Sequence, residues 1–178
     1  MPRLFTGLEI PQEIGLQLSS YRGGLQGARW IDPDNYHITL RFIGDIDGST
    51  ARDVYSVLAD GRPRGPVTVT FDDLSSFGGD RPHAVFARAA PTGDLAELQA
   101  EQERLIRRVG LPPERRKFTP HVTLARLRHT TPLDVAHYLA MRGRFHKVSF
   151  TARRFVLFSA REQTGGGPYV VEAAYPLG

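Results

Sequence analysis

The tetrapeptide His-x-Thr-Leu occurs twice, as His37-Ile38-Thr39-Leu40 and as His121-Val122-Thr123-Leu124, 84 positions apart. Around each copy the chain runs in the same order of strand, helix, motif strand, helix, strand. In the first half, residues 3–10 have a strand pattern, Pro11 opens a helix of about three turns with Ile14 and Leu18 on one face, and residues 36–43 form the motif strand. A helix over 49–60 and an alternating strand over 66–73 complete the set. The second half repeats it with a strand at 83–90, a helix at 93–109, the motif strand at 120–126, a helix at 133–141 and strands from 146 onward, including 155–158 and 169–175. Phe5 lies 32 positions before His37, and Phe86 lies 35 before His121. A repeat on this scale is a duplication of supersecondary units rather than a solenoid, so it restricts the fold to two related halves.

Successive side chains of a strand point to opposite faces. His37 and Thr39 therefore share one face and Ile38 and Leu40 the other, with His121, Thr123, Val122 and Leu124 arranged likewise. An approximate two-fold between the halves would place two histidines and two threonines around one cavity, with the aliphatic residues anchoring both strands in the core.

Histidine gains and loses a proton near neutral pH, so two imidazoles can act as general base and general acid in one turnover. Phosphodiester hydrolysis asks for that pair: one deprotonates water, the other protonates the leaving alkoxide, and hydroxyls donate hydrogen bonds to non-bridging oxygens that gain charge. No metal or cofactor is needed. A metal site on His37 and His121 would need further ligands, and no carboxylate accompanies either motif. The chain has no cysteine, which excludes disulfides, thiolate nucleophiles and cysteine-based metal centres.

Net charge is +4, carried almost wholly by arginine, whose planar fork of donors suits phosphate. The excess surrounds the second motif, where residues 107–128 hold Arg107, Arg108, Arg115, Arg116, Lys117, Arg126 and Arg128 against one acid, Glu114. No apolar run approaches a membrane span. The first residues enter a strand without the apolar core of a secretory signal, and a cytoplasmic protein is expected.

Strict alternation puts Arg41 beside His37 and Thr39 as a candidate phosphate ligand, sends Phe42 to the core, and turns Arg126 away from the second motif unless the strand bulges. His83, His129, His137 and His146 have surface or capping positions, and Trp30 reads as core packing. Gly165-Gly166-Gly167 lacks the Lys-Ser/Thr of a phosphate loop and reads as a hairpin turn.

These residues resemble the 2H phosphoesterase superfamily, and within it the RNA 2',3'-cyclic phosphodiesterases, also called 2'-5' RNA ligases. The resemblance rests on Arg3-Leu4-Phe5, on Arg29-Trp30 through Pro33 to His37-Ile38-Thr39-Leu40-Arg41-Phe42-Ile43-Gly44, and on Arg116-x-Phe118-x-Pro120-His121-Val122-Thr123-Leu124-Ala125-Arg126. Tyr169 and Tyr175-Pro176-Leu177 extend it, while the stretch from Ser159 to Gly167 departs from the pattern.

It implies an α+β fold with two pseudo-symmetric lobes, interleaved along a single domain of residues 1–178, whose two antiparallel sheets form a central cleft flanked by helices. It further implies hydrolysis of RNA 2',3'-cyclic phosphate ends to 2'-phosphomonoesters by a monomer without cofactor, with His37 as proton donor, His121 as proton acceptor, and Thr39, Thr123 and Arg126 as substrate ligands. The partners so implied are RNA 3' ends, such as those of tRNA fragments, or small cyclic nucleotides. Reversal would join RNA ends through a 2'-5' linkage. Two alternatives stand beside this: another 2H activity, on ADP-ribose cyclic phosphate or 2'-5' oligonucleotides, and a non-catalytic module that binds RNA ends.

Overall fold

In the computed structural model, residues 3–160 and 167–178 are described. Gly165 and Gly166 of the expected glycine turn, and most of the stretch that departs from the family pattern, lie outside them. The order is β1 (Arg3–Glu9), α1 (Gln12–Ser19), β2 (Ala28–Trp30), a 3-10 turn (Pro33–Asn35), β3 (His37–Asp45), α2 (Gly48–Leu58) and β4 (Val67–Phe77). Then follow β5 (Ala84–Ala89), α3 (Gly93–Arg108), β6 (His121–Leu127), α4 (Pro132–Arg142), β7 (Val148–Ala152), β8 (Arg154–Ala160) and β9 (Tyr169–Pro176).

Short polar caps set the helix starts. Asp47 and Thr92 accept from the backbone N–H groups of Thr50 and Leu95, and Thr131 and Asp134 form a reciprocal capping box behind Pro132. The first helix has eight residues, shorter than the three turns its apolar spacing suggested. The three-residue strand β2, too short to show a period, pairs with β6.

The fold is α+β, with two antiparallel sheets in the orders β3-β1-β8-β9 and β2-β6-β5-β4-β7. Each motif strand lies beside the first strand of its own repeat: β3 on β1, and β6 on β5. The third strands are exchanged. β4, last in the first repeat by sequence order, pairs with β5, while β8, near the chain's end, pairs with β1. The two lobes are therefore laced together by the chain.

One apolar cluster joins them, drawing Leu8 and Ile38 from the first sheet, Val122 and Leu124 from the second, and Leu98 and Ile106 from α3, all completely buried. A smaller cluster, Phe5, Val156 and Phe158 with Tyr169 against it, covers the other face of the first sheet. Trp30 packs on the large cluster with its ring 5.8 Å from Tyr138, in keeping with a core role. No helix among the described residues is long and apolar enough to cross a membrane.

Candidate active site

Both motif strands carry a bulge at the same letter of the motif. In the β1–β3 pair, Gly7 faces Thr39 and Thr6 faces Arg41, which leaves Leu40 as the extra residue. In the β5–β6 pair, Phe86 faces Thr123 and Val85 faces Ala125, which leaves Leu124. A bulge puts two consecutive residues on one face and reverses the alternation beyond it. Burial accordingly follows the same sequence in the two strands: half-buried His and Thr alternate with buried aliphatics, then two buried residues precede an exposed one.

This local irregularity corrects two expectations and decides a third. Arg41 does not reach the cleft: it is 6% exposed and pairs with Glu103 of α3, and its guanidinium also donates to the carbonyls of Phe42 and Pro112. Phe42, expected in the core, is turned outward to line the cavity. Arg126, its counterpart in the other lobe, is brought to the same cavity, where unbroken alternation would have turned it away.

The cavity measures about 510 Å³, and His37, Thr39, His121, Thr123 and Arg126 all line it. Each imidazole is held in the same way. His37 Nδ1 donates to the carbonyl of Asn35 at 3.0 Å, and His121 Nδ1 to the carbonyl of Thr119 at 2.6 Å, in each case two residues upstream. A carbonyl only accepts, so the proton sits on Nδ1 and Nε2 is left for chemistry. At His37, Nε2 lies 3.1 Å from the Thr39 hydroxyl, within hydrogen-bond reach.

Rings support both histidines. His37 lies edge-on to Tyr169 at 4.7 Å, with Phe5 at 5.0 Å and Phe158 at 5.6 Å. His121 lies edge-on to Phe77 at 4.9 Å, with Phe86 at 5.1 Å. Phe158 and Phe77 occupy matching places on the exchanged strands β8 and β4, but Phe86 has Gly7 as its counterpart. A Cβ at Gly7 would sit 2.5 Å from the Ile38 carbonyl oxygen and 3.2 Å from the Phe158 ring, so the first lobe has no space for a side chain there.

Apolar surroundings penalise the imidazolium form, and both histidines titrate below their ordinary value near 6.5. Burial is the main cause at each. It takes His37 down to about 4, against a rise from the Asn35 hydrogen bond, with smaller depressions from the His121 and Arg126 charges. His121 is lowered by burial and by Arg126, against a rise from its bond to Thr119. His83, expected at the surface or in a cap, stands at the cavity edge and stacks on Phe77 at 6.1 Å. Arg116, Lys117 and Phe118 also line the cavity; the basic excess marked their neighbourhood, but no periodicity aimed them. Among the described residues no three His, Cys, Asp or Glu side chains gather as a metal site would require.

A family model described as LigT like phosphoesterase matches the chain twice, over residues 8–87 and 85–169, once for each repeat. The chain belongs to the LigT-like phosphoesterase family. Among its relatives, the RNA 2',3'-cyclic phosphodiesterase of Bacillus subtilis is 29% identical over 162 residues, covering 88% of this chain and 87% of that protein. The enzyme of the same name from Aeropyrum pernix is 35% identical over 100 residues; that match spans 55% of this chain and 56% of the relative. The crystal structure of Escherichia coli LigT complexed with 3'-AMP superposes with a TM-score of 0.77 at 22% identity, covering 99% of each chain, a likeness of fold. The LigT-like phosphoesterases are enzymes, and the five residues of the doubled motif and its arginine share one cavity in this member.

Proposed function

We propose that this phosphoesterase hydrolyses RNA 2',3'-cyclic phosphate ends to 2'-phosphomonoesters by metal-independent acid-base catalysis. The observation that carries the reading is the pair of imidazoles, each fixed through Nδ1 by a carbonyl and each lining the same cavity with a threonine two residues on. His121 takes a proton from water, the water oxygen attacks phosphorus, the bond from phosphorus to O3' breaks in line, and His37 gives O3' its proton. Thr39 and Thr123 donate to non-bridging oxygens, and Arg126 offsets the charge that develops there. RNA as substrate is supported by the names of the relatives, RNA 2',3'-cyclic phosphodiesterases from several organisms. All the groups come from one chain, so a monomer suffices.

Burial holds both imidazoles below their ordinary titration range, and an anionic substrate raises their proton affinity as it binds. His37 must be protonated and His121 neutral. Because both titrate below 6.5, the bell-shaped profile of kcat/KM is expected to be centred on the acid side of that value.

A short RNA with a 2',3'-cyclic phosphate end tests this in excess EDTA, with products resolved by mass spectrometry and phosphorus NMR. The expected result is a 2'-phosphate, undiminished by the chelator; loss of activity restored by a divalent ion, or a profile centred above pH 7, contradicts the reading. Adding a 5'-hydroxyl RNA to the same assay reads the reverse reaction, and binding without any product supports a non-catalytic module.

A further inference from the structure

His83 also lines the cavity, and no step of the proposed hydrolysis uses it. Its position is tightly fixed. Across the β4–β5 hairpin its backbone N–H donates to the Phe77 carbonyl, and its own carbonyl accepts from the Leu127 N–H of β6, both at 2.9 Å. The imidazole stacks on Phe77 with the ring centroids 6.1 Å apart and the planes 17° from parallel. Beside it stands Gly78 at φ +110°, where a Cβ would come within 2.9 Å of the imidazole Cδ2. Yet the residue is exposed, and among the described residues no group hydrogen-bonds its ring nitrogens. A side chain held through its backbone and its ring face, but open at both nitrogens, is placed to donate to something that enters the cavity.

The first lobe has nothing comparable. Phe5 faces Phe42 in one sheet as Ala84 faces Arg126 in the other, so the residue before each, Leu4 and His83, occupies the matching place. Leu4 is 4% exposed and belongs to the large apolar cluster. Around His37 the flanking groups are the rings of Phe5, Phe158 and Tyr169, whereas from His121 polar side chains continue through Thr123 and Arg126 to His83. A polar track on one side gives a second anion of the substrate one wall to follow. In a nucleotide whose cyclic phosphate sits between the two histidines, the next anion is the phosphate on O5' of the same ribose. Arg116 and Lys117 are cationic as well, but they reach the cavity from the irregular segment between α3 and β6, and the Arg116 Nε already donates to Glu114 at 3.3 Å.

We propose that His83 donates a hydrogen bond to the phosphate on O5' of the terminal nucleotide, so that the enzyme selects cyclic ends carrying that phosphate over bare nucleoside cyclic phosphates. The inference rests on the hydrolysis proposed above and adds a second anion subsite for the same substrate. In an RNA strand this phosphate is the internucleotide linkage; in a small nucleotide it is a terminal monoester. A neutral imidazole keeps one N–H and an imidazolium two, so the contact exists in either form. A hydrogen bond to a charged group at an exposed rim is worth about tenfold in affinity, the low end of its range.

The test compares kcat/KM for adenosine 2',3'-cyclic phosphate, for the same compound with a 5'-phosphate, and for the adenosine dinucleotide with a 2',3'-cyclic end. Wild-type protein is expected to favour the two phosphate-bearing substrates by about tenfold, mainly through KM. His83→Ala should bring that ratio close to one, His83→Gln, which keeps an N–H donor, should retain part of it, and Lys117→Ala should leave the ratio as in wild type. A response of the dinucleotide alone, or of the 5'-monophosphate alone, upholds the contact and tells which source of phosphate it reads. No preference in the wild type overturns the inference, as does a preference kept in His83→Ala or lost only in Lys117→Ala. An equal loss on all three substrates in a folded His83→Ala also overturns it, since the ring would then act through Phe77 on His121. Calorimetry with the products adenosine 2',5'-bisphosphate and adenosine 2'-phosphate reads the same contact without turnover. A His83-dependent difference in binding without hydrolysis by the wild type keeps the subsite and removes the hydrolytic reading; hydrolysis without that difference does the reverse.

Discussion

The lobe of β1 and β3 and the lobe of β5 and β6 match in their motif letters and part company just after them. Up to the bulged leucine the two strands agree in burial, in the face each side chain takes and in the carbonyl that anchors each imidazole. After it, Arg41 answers to Ala125, and Phe42 to Arg126. What both lobes share is what acid-base chemistry needs twice. What they do not share is an arginine that lines the cavity in one lobe and, in the other, a buried arginine that ties the motif strand to its surroundings and an exposed ring.

That division can be broken experimentally. Arg126→Ala is expected to cost about 10² to 10³ in kcat/KM, the scale of losing one donor to a developing oxyanion. Its counterpart Phe42→Ala should affect total turnover far less. Equal losses at the two positions in steady-state kinetics would show that the lobes contribute alike and that the asymmetry argued from the bulges is unimportant.

A smaller effect should separate Arg41 from Ala125. Arg41 is buried against Glu103, and removing one partner of a buried pair leaves the other charge uncompensated. Arg41→Ala is expected to lower stability by about 3 kcal/mol in urea denaturation, whereas Ala125→Gly, which opens no charge, should lower it by about 1 kcal/mol. An Arg41→Ala protein as stable as wild type would mean that this staple is not what holds β3 to α3 and to the Pro112 carbonyl.

Which side chains meet in this cleft is easier to read from the sequence than how the strands aim them. His37, Thr39, His121 and Thr123 were legible because strand period and repetition agree on them, and the order of helices and strands followed from period, caps and turn residues. The bulges were not legible, since a bulge is a property of two paired strands and the pairing is not written locally. For that reason strict alternation puts Arg41 and Phe42 on the wrong faces and conflicts with the family resemblance at Arg126. The exchange of β4 and β8 was equally hidden, because each reads as the final strand of its own repeat. Phe118, Arg116 and Lys117 reach the cavity from an irregular segment with no period to aim them.

In the proposed reaction one imidazole gives a proton and the other takes it. Replacing O3' of the cyclic phosphate with sulfur, whose thiolate leaves without needing a proton, separates the two roles. On the normal substrate, His37→Ala and His121→Ala are each expected to lose about 10² to 10⁴ in rate. On the sulfur substrate, His37→Ala should return to within about tenfold of wild type while His121→Ala stays impaired, as expected when only the acid has become dispensable. Rescue of His121→Ala instead would exchange the two roles, and equal impairment of both variants on both substrates would contradict acid-base catalysis by this pair.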